Sequence, residues 1–518
     1  MAESDALQVR WLGRVRFADA HALQRSLFEF AEAPYLLLCE HHHVFTMGLR
    51  GTPDQLRVPR VDLGADLVRT DRGGAVTYHG PGQLVGYPIV SAPTRPGATA
   101  DHVWAVEQVV IDACSDLGLV GLERRESAPG VWLDAHGMRP RKVAAVGVRR
   151  SRGRTMHGFA LNVNPDLDWF QRIVPCGLAD AGVTSLAAEN IDVSMPEVVE
   201  AIAGRAARQW GAGHQVGRFS QDLQVEAQHG DAPGSSTARK PEWLRLTLNA
   251  GPGYLKTRST VKSLGLVTVC EEAGCPNMSE CWNDGTATFM INGDRCTRAC
   301  GFCLVDTRRP MPTDDDEAER VAEAVAQMGL AHAVITAVAR DDLPDGGAAA
   351  FAACIAAIRA RCPATAIEVL IPDCKGDEAA LGTIFNARPD VLNHNLETVA
   401  RLQRRVRPSA SYARSLAVLG RARNSGLLTK SGLMVGLGET GPELTAAMLD
   451  LRSVGVSILT LGQYLRPSAD HLAVSRWWTP AEFASLADEA RALGFRHVEA
   501  SPLARSSYHA RQGLAGAL

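Results

Sequence analysis

Hydrophobic positions recur every three to four residues in three stretches of the first 215 residues: 18–30, 101–117 and 196–210. That spacing gathers apolar side chains on one face and predicts amphipathic helices. Between them run short segments rich in β-branched and aromatic residues: YLLLCE, AVTYHG, QLVGYPIV, GVWLD, KVAAVGV and GFALNV. These predict strands, so the first half reads as a mixed sheet with helices packed on it. From residue 240 the texture changes. AVITAV, AIEVLIP, DVLNHN, SGLMVGL, SILTLGQYL and RHVEA alternate with helical runs such as GAAAFAACIAAIRARC, ASYARSLAVLGRAR and PAEFASLADEARAL. About six strand–helix units in series predict a parallel, incomplete barrel. The stretch 211–240 is rich in Gly, Ser, Ala and Gln without an apolar period, which predicts a flexible linker. The expected chain is α/β throughout, with domains at 1–215 and 241–518 joined by 216–240.

The 518 residues are 46% apolar and 21% charged, an ordinary globular balance, and the net charge of −3 gives no argument for a nucleic-acid or membrane partner. No apolar run approaches 18 residues, and the start MAESDALQVRW lacks a basic region followed by an apolar one. A cytoplasmic protein is expected. In that compartment twelve cysteines are thiols or metal ligands rather than disulfides.

Six of them fall in two trios, CEEAGCPNMSEC (Cys270, Cys275, Cys281) and CTRACGFC (Cys296, Cys300, Cys303). Structural zinc favours two C-x₂-C pairs supplying four thiolates. Three thiolates leave one metal position for another ligand, which suits an iron–sulfur cluster with one open iron. The C-x₃-C-x₂-C spacing after the strand-like ATFMING is the signature of radical S-adenosylmethionine enzymes. Cys354, Cys362 and Cys374 lie on predicted helix or at a strand end and read as core.

The flanking sequence narrows the family. Residues 240–518, with ARDDLPDGGA, EVLIPD, NHNLETV, TKSGLMVGLGE, GQYLRPS and ARSSYHA, resemble lipoyl synthase. The resemblance implies a radical-enzyme partial barrel with two 4Fe–4S clusters and S-adenosylmethionine as cofactors. Cys296, Cys300 and Cys303 would hold the cluster that binds S-adenosylmethionine. Cys270, Cys275, Cys281 and Ser507 would hold an auxiliary cluster that donates sulfur, the hydroxyl being a poorer ligand than a thiolate. Ala337 and Ala339 stand where that family usually has Ser and Asp.

In the first half, Cys39 and Cys114 read as core. Cys176 sits in RIVPCGLAD, between a Pro and a Gly in a loop. Such a thiol is inert unless a neighbour lowers its pKa, and Lys142 in RKVAAVGV is a candidate neighbour. Glycines 73, 74, 80 and 82 in DRGGAVTYHGPGQLVGYPI allow close backbone approach to a ligand. The consecutive His41, His42 and His43 point to alternate faces of an extended segment, so a packing or solvated role is favoured over a shared metal.

Residues 7–215, through that string, RKVAAVGV, HGFALNVNPDL and PCGL, resemble octanoyl-[acyl carrier protein]:protein octanoyltransferase. The resemblance implies a biotin/lipoate ligase-like fold with Cys176 as acyl-thioester nucleophile and Lys142 activating it. It implies substrate contacts at Arg72, Gly73, Gly74, Ala75, Val76, Thr77, Tyr78 and His79, at Ala145, Val146 and Gly147, and at Gly158, Phe159 and Ala160. His157 lies beside the last segment. Together the two resemblances imply a bifunctional enzyme that octanoylates a lipoyl-domain lysine and then inserts sulfur at carbons 6 and 8. Implied partners are octanoyl-acyl carrier protein, the lipoyl domains of 2-oxoacid dehydrogenases, the glycine cleavage H protein, and an electron donor such as ferredoxin or flavodoxin. An ATP-dependent lipoate or biotin ligase fused to a tRNA-thiolating radical enzyme is the alternative. Against it, a ligase needs no cysteine at position 176.

Overall fold

The computed structural model describes residues 6–126, 128–174, 181–211, 216–220, 240–244, 251–272, 275, 277–283 and 288–517. Two compact units result, Met1–Val225 and Glu226–Leu518. No helix among the described residues is long and apolar enough to cross a membrane.

The first unit contains strands β1 (Leu7–Val15), β2 (Tyr35–His41), β3 (Val44–Met47), β4 (Asp66–Arg69), β5 (Val76–His79), β6 (Gln83–Ile89), β7 (Leu122–Arg124), β8 (Gly130–Leu133), β9 (Arg141–Ser151), β10 (Arg154–Asn162), β11 (Gly182–Val183) and β12 (Val216–Ser220). Its α-helices are α1 (Phe17–Phe30), α2 (Ala98–Asp116) and α3 (Met195–Trp210). The main sheet runs β12-β1-β2-β6-β10-β9-β8-β7, with β11 on β9, and β4-β3-β5 form a small second sheet. α2 and α3 bury Val106, Val110, Val198 and Ile202 on the main sheet. The start of α3 is set by a capping box, Ser194 and Glu197 satisfying each other's backbone N–H. Each sequence-expected helix is present, shifted by at most a few residues at its ends. β12 falls within the 216–240 stretch and pairs in parallel with β1. An edge strand requires only backbone partners, so a composition without apolar alternation does not exclude one.

The second unit contains strands β13 (Val267–Thr268), β14 (Thr288–Ile291), β15 (His332–Ala337), β16 (Ala366–Leu370), β17 (Val391–Asn393), β18 (Thr429–Val435), β19 (Ile458–Gln463) and β20 (His497–Ala500). Its helices are α4 (Pro252–Ser263), α5 (Val269–Glu272), α6 (Met278–Asn283), α7 (Glu317–Met328), α8 (Ala348–Arg361), α9 (Glu378–Asn386), α10 (Gln403–Val406), α11 (Tyr412–Asn424), α12 (Gly441–Ser453), α13 (Pro480–Ala492) and α14 (Ala510–Ala517). The sheet order β13 through β20 follows the chain, antiparallel only at β13–β14. The seven parallel strands form an arc whose outer strands do not pair with each other among the described residues, matching the incomplete barrel expected. α14 sets Leu514 and Ala517 against Val391 and Ile458, near the start of β17 and of β19.

Inside the arc Glu368 is fully buried and accepts from Lys430 Nζ at 2.9 Å, while His332 Nε2 stands 3.6 Å from its other oxygen. Burial alone would push this carboxyl up; Lys430 and His332 outweigh it and hold it below the ordinary value. A depressed carboxyl contributes stability above the unfolded value of about 4.3, and that contribution is lost as pH falls through the folded value. Lys430→Met leaves the carboxylate buried without its cation and should cost about 3–5 kcal/mol near neutral pH. The loss, read as a lower urea midpoint, should shrink as pH falls through the variant's raised carboxyl value and be smaller in the Glu368→Gln, Lys430→Met pair.

Candidate active sites

In the first unit a cavity of about 220 Å³ opens where β5, β9 and β10 meet. That is below the range of about 300–1,000 Å³ usual for drug-sized ligands and suits a short chain. Its walls include Arg72, Gly74, Ala75, Val76, Thr77, His79, Lys142, Ala145, Val146, Gly147, Gly158, Phe159 and Ala160. Three distant segments thus converge, because β10 pairs antiparallel with β9 and the stretch before β5 bonds to β9 through Gly73. Gly73 and Tyr78 are not among the walls. Gly73 N bonds Val148 O at 3.0 Å. Strand alternation turns Tyr78 the other way, onto Trp169 at 5.3 Å. Gly82 serves the chain rather than a ligand: at φ +81°, a Cβ there would sit 2.3 Å from Asn164 O. Cys176 lies outside the described residues.

Lys142, only 5% exposed, donates from Nζ to Pro129 O at 3.0 Å and stands 4.5 Å over the Trp132 ring. A register shift in β8 between Val131 and Trp132 lets the strand bend around it. Gly130, at φ +144°, leaves room for the lysine stem; a Cβ there would meet Lys142 Cε at 3.1 Å and Ala144 O at 2.5 Å. Glu107 approaches from α2, its Oε1 accepting from Gly130 N at 2.7 Å. Burial pushes its carboxyl up, opposed by the Gly130 bond and by Arg124 and Lys142.

A chain of hydrogen bonds fixes His79. Arg72 Nε donates to Thr46 Oγ1 at 3.2 Å, and that hydroxyl lies 3.2 Å from His79 Nε2. His79 Nδ1 meets Gln83 Oε1 at 2.8 Å, so Nδ1 carries the proton; Gln83 Nε2 donates onward to Asn162 Oδ1 at 2.9 Å. Burial pushes His79 down to about 3, so the ring is neutral. His157, also pushed down by burial, bonds Asp71 Oδ1 at 2.7 Å, and its ring stacks on His21 at 5.6 Å. The ligand atoms of His21, Asp71 and His157 lie within 4.8 Å of one another. Arg149 pairs with Asp71, and Arg72 and Arg149 both bear on His157 electrostatically. That positive surround makes the trio an ion-pair network rather than an inviting cation site. Asp71, His21, Thr46 and Glu107 were not legible as site residues; only their distance partners reveal them. His41 is buried against Tyr87 OH at 2.7 Å and His43 stacks on Trp169 at 4.2 Å, while His42 is exposed, so the three histidines do diverge.

In the second unit a cavity of about 570 Å³ lies at the C-terminal ends of the parallel strands. Cys270, Cys275, Cys296, Cys300, Cys303 and Ser507 line it. Cys281 is not among the walls; it packs on the core and bears electrostatically on Tyr508, the neighbour of Ser507. The tail is tied across the site by Asn277 Nδ2 to Leu503 O at 2.7 Å, Asn395 Nδ2 to Ser506 Oγ at 2.6 Å and Tyr508 OH to Glu280 Oε1 at 3.1 Å.

The second trio rides on the loop after β14. Cys296 N bonds Asp306 O at 2.8 Å, Gly301 N bonds Val406 O at 2.9 Å, and His471 Nε2 meets Cys303 O at 2.9 Å. Burial pushes Cys303 and Cys270 each up to about 11, with neighbouring thiols adding to the effect. Grouped buried thiols of this kind become thiolates only with a cation to offset the charge. Tetrahedral zinc would bring its sulfurs to within about 4 Å of one another. No three of the described cysteines lie mutually within 4.8 Å. Among the described residues the thiols of each trio are therefore not gathered on a single ion. Asn393 Oδ1, Asn395 Oδ1 and Thr460 Oγ1 are buried without a hydrogen-bond partner on residues that line the same cavity, as a polar ligand would require. In MVGLGE, Glu439 accepts from Gly436 N and Leu437 N, and from Trp478 Nε1 at 2.9 Å, so these residues brace the loop; it is Gly432, Leu433 and Met434 that face the cavity. Cys39, Cys114, Cys354 and Cys374 are buried and Cys362 half-buried, as core residues.

Residues 16–206 match the lipoyl protein ligase A/B catalytic domain, and 290–451 match the radical SAM superfamily. A lipoyl synthase of Rubrobacter xylanophilus is 57% identical over 275 residues, covering 53% of this chain and 86% of that protein. A lipoyl synthase of Mycobacterium avium is 52% identical over 288 residues, covering 56% and 93%. A solved bi-partite lipoate protein ligase of Thermoplasma acidophilum aligns over 39% of this chain and 83% of its own at 17% identity and a TM-score of 0.34.

Proposed function

The chain belongs to the lipoyl synthase family, carries a lipoyl protein ligase A/B catalytic domain ahead of its radical S-adenosylmethionine domain, and from that premise we propose that it builds the lipoyl group in two steps on one target lysine. It is an enzyme of acyl transfer and sulfur insertion, with S-adenosylmethionine and 4Fe–4S clusters as cofactors. The domains are proposed at 1–215 and 241–518 with 216–240 between them, the first residues of that stretch pairing as β12 with the first sheet.

In the first step Cys176 thiolate attacks the octanoyl thioester of acyl carrier protein, and the carrier thiol leaves with a proton from Lys142. The acyl chain waits on Cys176 as a thioester, a bond of similar energy. The lysine amine of a lipoyl domain then attacks, Lys142 takes its proton, an amide forms and the Cys176 thiolate is released. The short cavity beside Lys142 receives the octanoyl chain, with Phe159 and Val146 against it and the fixed His79 adding no charge of its own. No ATP is consumed, since the acyl group arrives activated.

In the second step Cys296, Cys300 and Cys303 hold one cluster, and Cys270, Cys275, Cys281 and Ser507 hold the other. When bound, these groups supply the electron that cleaves S-adenosylmethionine and the sulfur that enters the octanoyl chain. The chain's own part is to present these ligands at one cavity, with Cys281 behind its wall, and to anchor the tail that carries Ser507. Partners follow: octanoyl-acyl carrier protein, lipoyl domains including the glycine cleavage H protein, and a ferredoxin- or flavodoxin-type donor.

The observation that carries the reading is the meeting of five of the six motif cysteines and Ser507 on one cavity. Mass spectrometry tests it. A lipoyl domain incubated anaerobically with the full chain, octanoyl carrier protein, reductant and S-adenosylmethionine, without ATP, should gain octanoyl and then two sulfurs. A requirement for ATP, or no sulfur gain by a pre-octanoylated domain, would overturn the corresponding half.

A further inference from the structure

Between the first two cysteines of the second trio lies Arg298, whose side chain is only 6% exposed. Its Nε and Nη2 fork onto Asp341 at 2.7 and 2.8 Å, and Nη2 also donates to Asp373 Oδ1 at 2.6 Å. Asp373 is fully buried, and its other oxygen takes Arg414 Nη1 at 3.4 Å. Asp341 belongs to the loop after β15 and Asp373 to the loop after β16. Arg298 therefore ties the cysteine loop, which follows β14, to the next two strand ends. Thr297 reinforces the tie: its N and Oγ1 both donate to Ala339 O, at 3.0 and 2.9 Å, and its Oγ1 accepts from Asp341 N at 3.0 Å.

We propose that Arg298 is a positioning residue that registers Cys296 against Cys300 and Cys303, and so sets how a cluster held by them meets S-adenosylmethionine. The inference rests on reading that trio as cluster ligands. Two facts favour a mechanical role over an electrostatic one. The two arginines and two aspartates of the group balance, which offsets the pull that Arg298, on the cavity wall, exerts on Cys300. The planar fork also spans two carboxylates from different loops, which a lysine ammonium cannot do with one geometry. Burying such a group is costly unless its geometry is exacting, and registry is the best-attested reason to keep one.

The test uses the full chain with both clusters reconstituted anaerobically. Arg298→Lys keeps the charge and loses the fork. Arg298→Met combined with Asp373→Asn removes both without stranding a buried carboxylate. The parent should hold about eight irons. Arg298→Lys should keep its iron, yet need at least about tenfold more S-adenosylmethionine to produce the cofactor-induced change in the reduced cluster's EPR spectrum, the scale of lost outer-shell support. The double variant should fall to about four irons, with parental circular dichroism and octanoyl transfer, and its apoprotein should alkylate faster at Cys296, Cys300 and Cys303. Full iron and a parental S-adenosylmethionine titration in Arg298→Lys would overturn the proposal, and that variant decides alone if the double variant unfolds. A parent that binds no iron would instead defeat the ligand assignment beneath it.

Discussion

Cys300→Ala should abolish reductive cleavage of S-adenosylmethionine while leaving octanoyl transfer at its parental rate. Cys300 faces the larger cavity together with Cys296 and Cys303, on a loop fixed by Gly301 N to Val406 O and by Cys303 N to Cys300 O at 3.1 Å. The backbone bonds persist when one thiol is removed, so the loop keeps its course and only a ligand is lost. Loss of outer-shell support around a metal centre costs about 10–100-fold, and loss of a direct ligand should exceed that. Iron should drop from about eight to about four per chain. 5′-Deoxyadenosine release and iron content check the result. Parental 5′-deoxyadenosine release would remove this trio from the chemistry.

The second large effect concerns Lys142→Met. Methionine keeps most of the volume beneath Trp132 and removes the ammonium that donates to Pro129 O. General acid–base help is worth about 10²–10⁴-fold, so octanoyl transfer should fall by that factor. Sulfur insertion into a pre-octanoylated lipoyl domain should be unchanged. Lys142→Arg should not rescue transfer, because a guanidinium does not release a proton near neutral pH. Cys176→Ala should lose transfer more completely, since the nucleophile itself is gone. Radiolabelled octanoyl transfer measures all three variants. Undiminished transfer in Lys142→Met would assign the proton to another group, Glu107 being a nearby candidate through its bond to Gly130 N.

The sequence revealed what depends on local pattern. Helices α1, α2 and α3 show a clear 3.6-residue period, and the series β15 to β20 shows alternation with helices, so both architectures were expected. β1 was not: Leu7, Val9 and Trp11 alternate with Gln8 and Arg10 over only five residues, and the polar pair is buried too, so the pattern understates the strand. Candidate site residues within motifs came from resemblance. Their supports were not, because they come from distant sequence: Asp71 to His157 spans 86 positions, Arg298 to Asp373 spans 75, and Glu280 to Tyr508 spans 228. Tyr78 shows the converse limit. A motif assigns a run of neighbours to one ligand, but a strand turns every second side chain away.

Ala339 lends the cysteine loop only a peptide oxygen, shared by Thr297 N and Oγ1. Side-chain identity at that position is thus uncoupled from upkeep of the loop, and evolution is free to drift there without loosening it. With Ala337 and Ala339 both on the cavity wall, this stretch shows bound molecules only methyl groups. Contact on that side of the cavity is left to van der Waals packing, since neither side chain can offer a hydrogen bond.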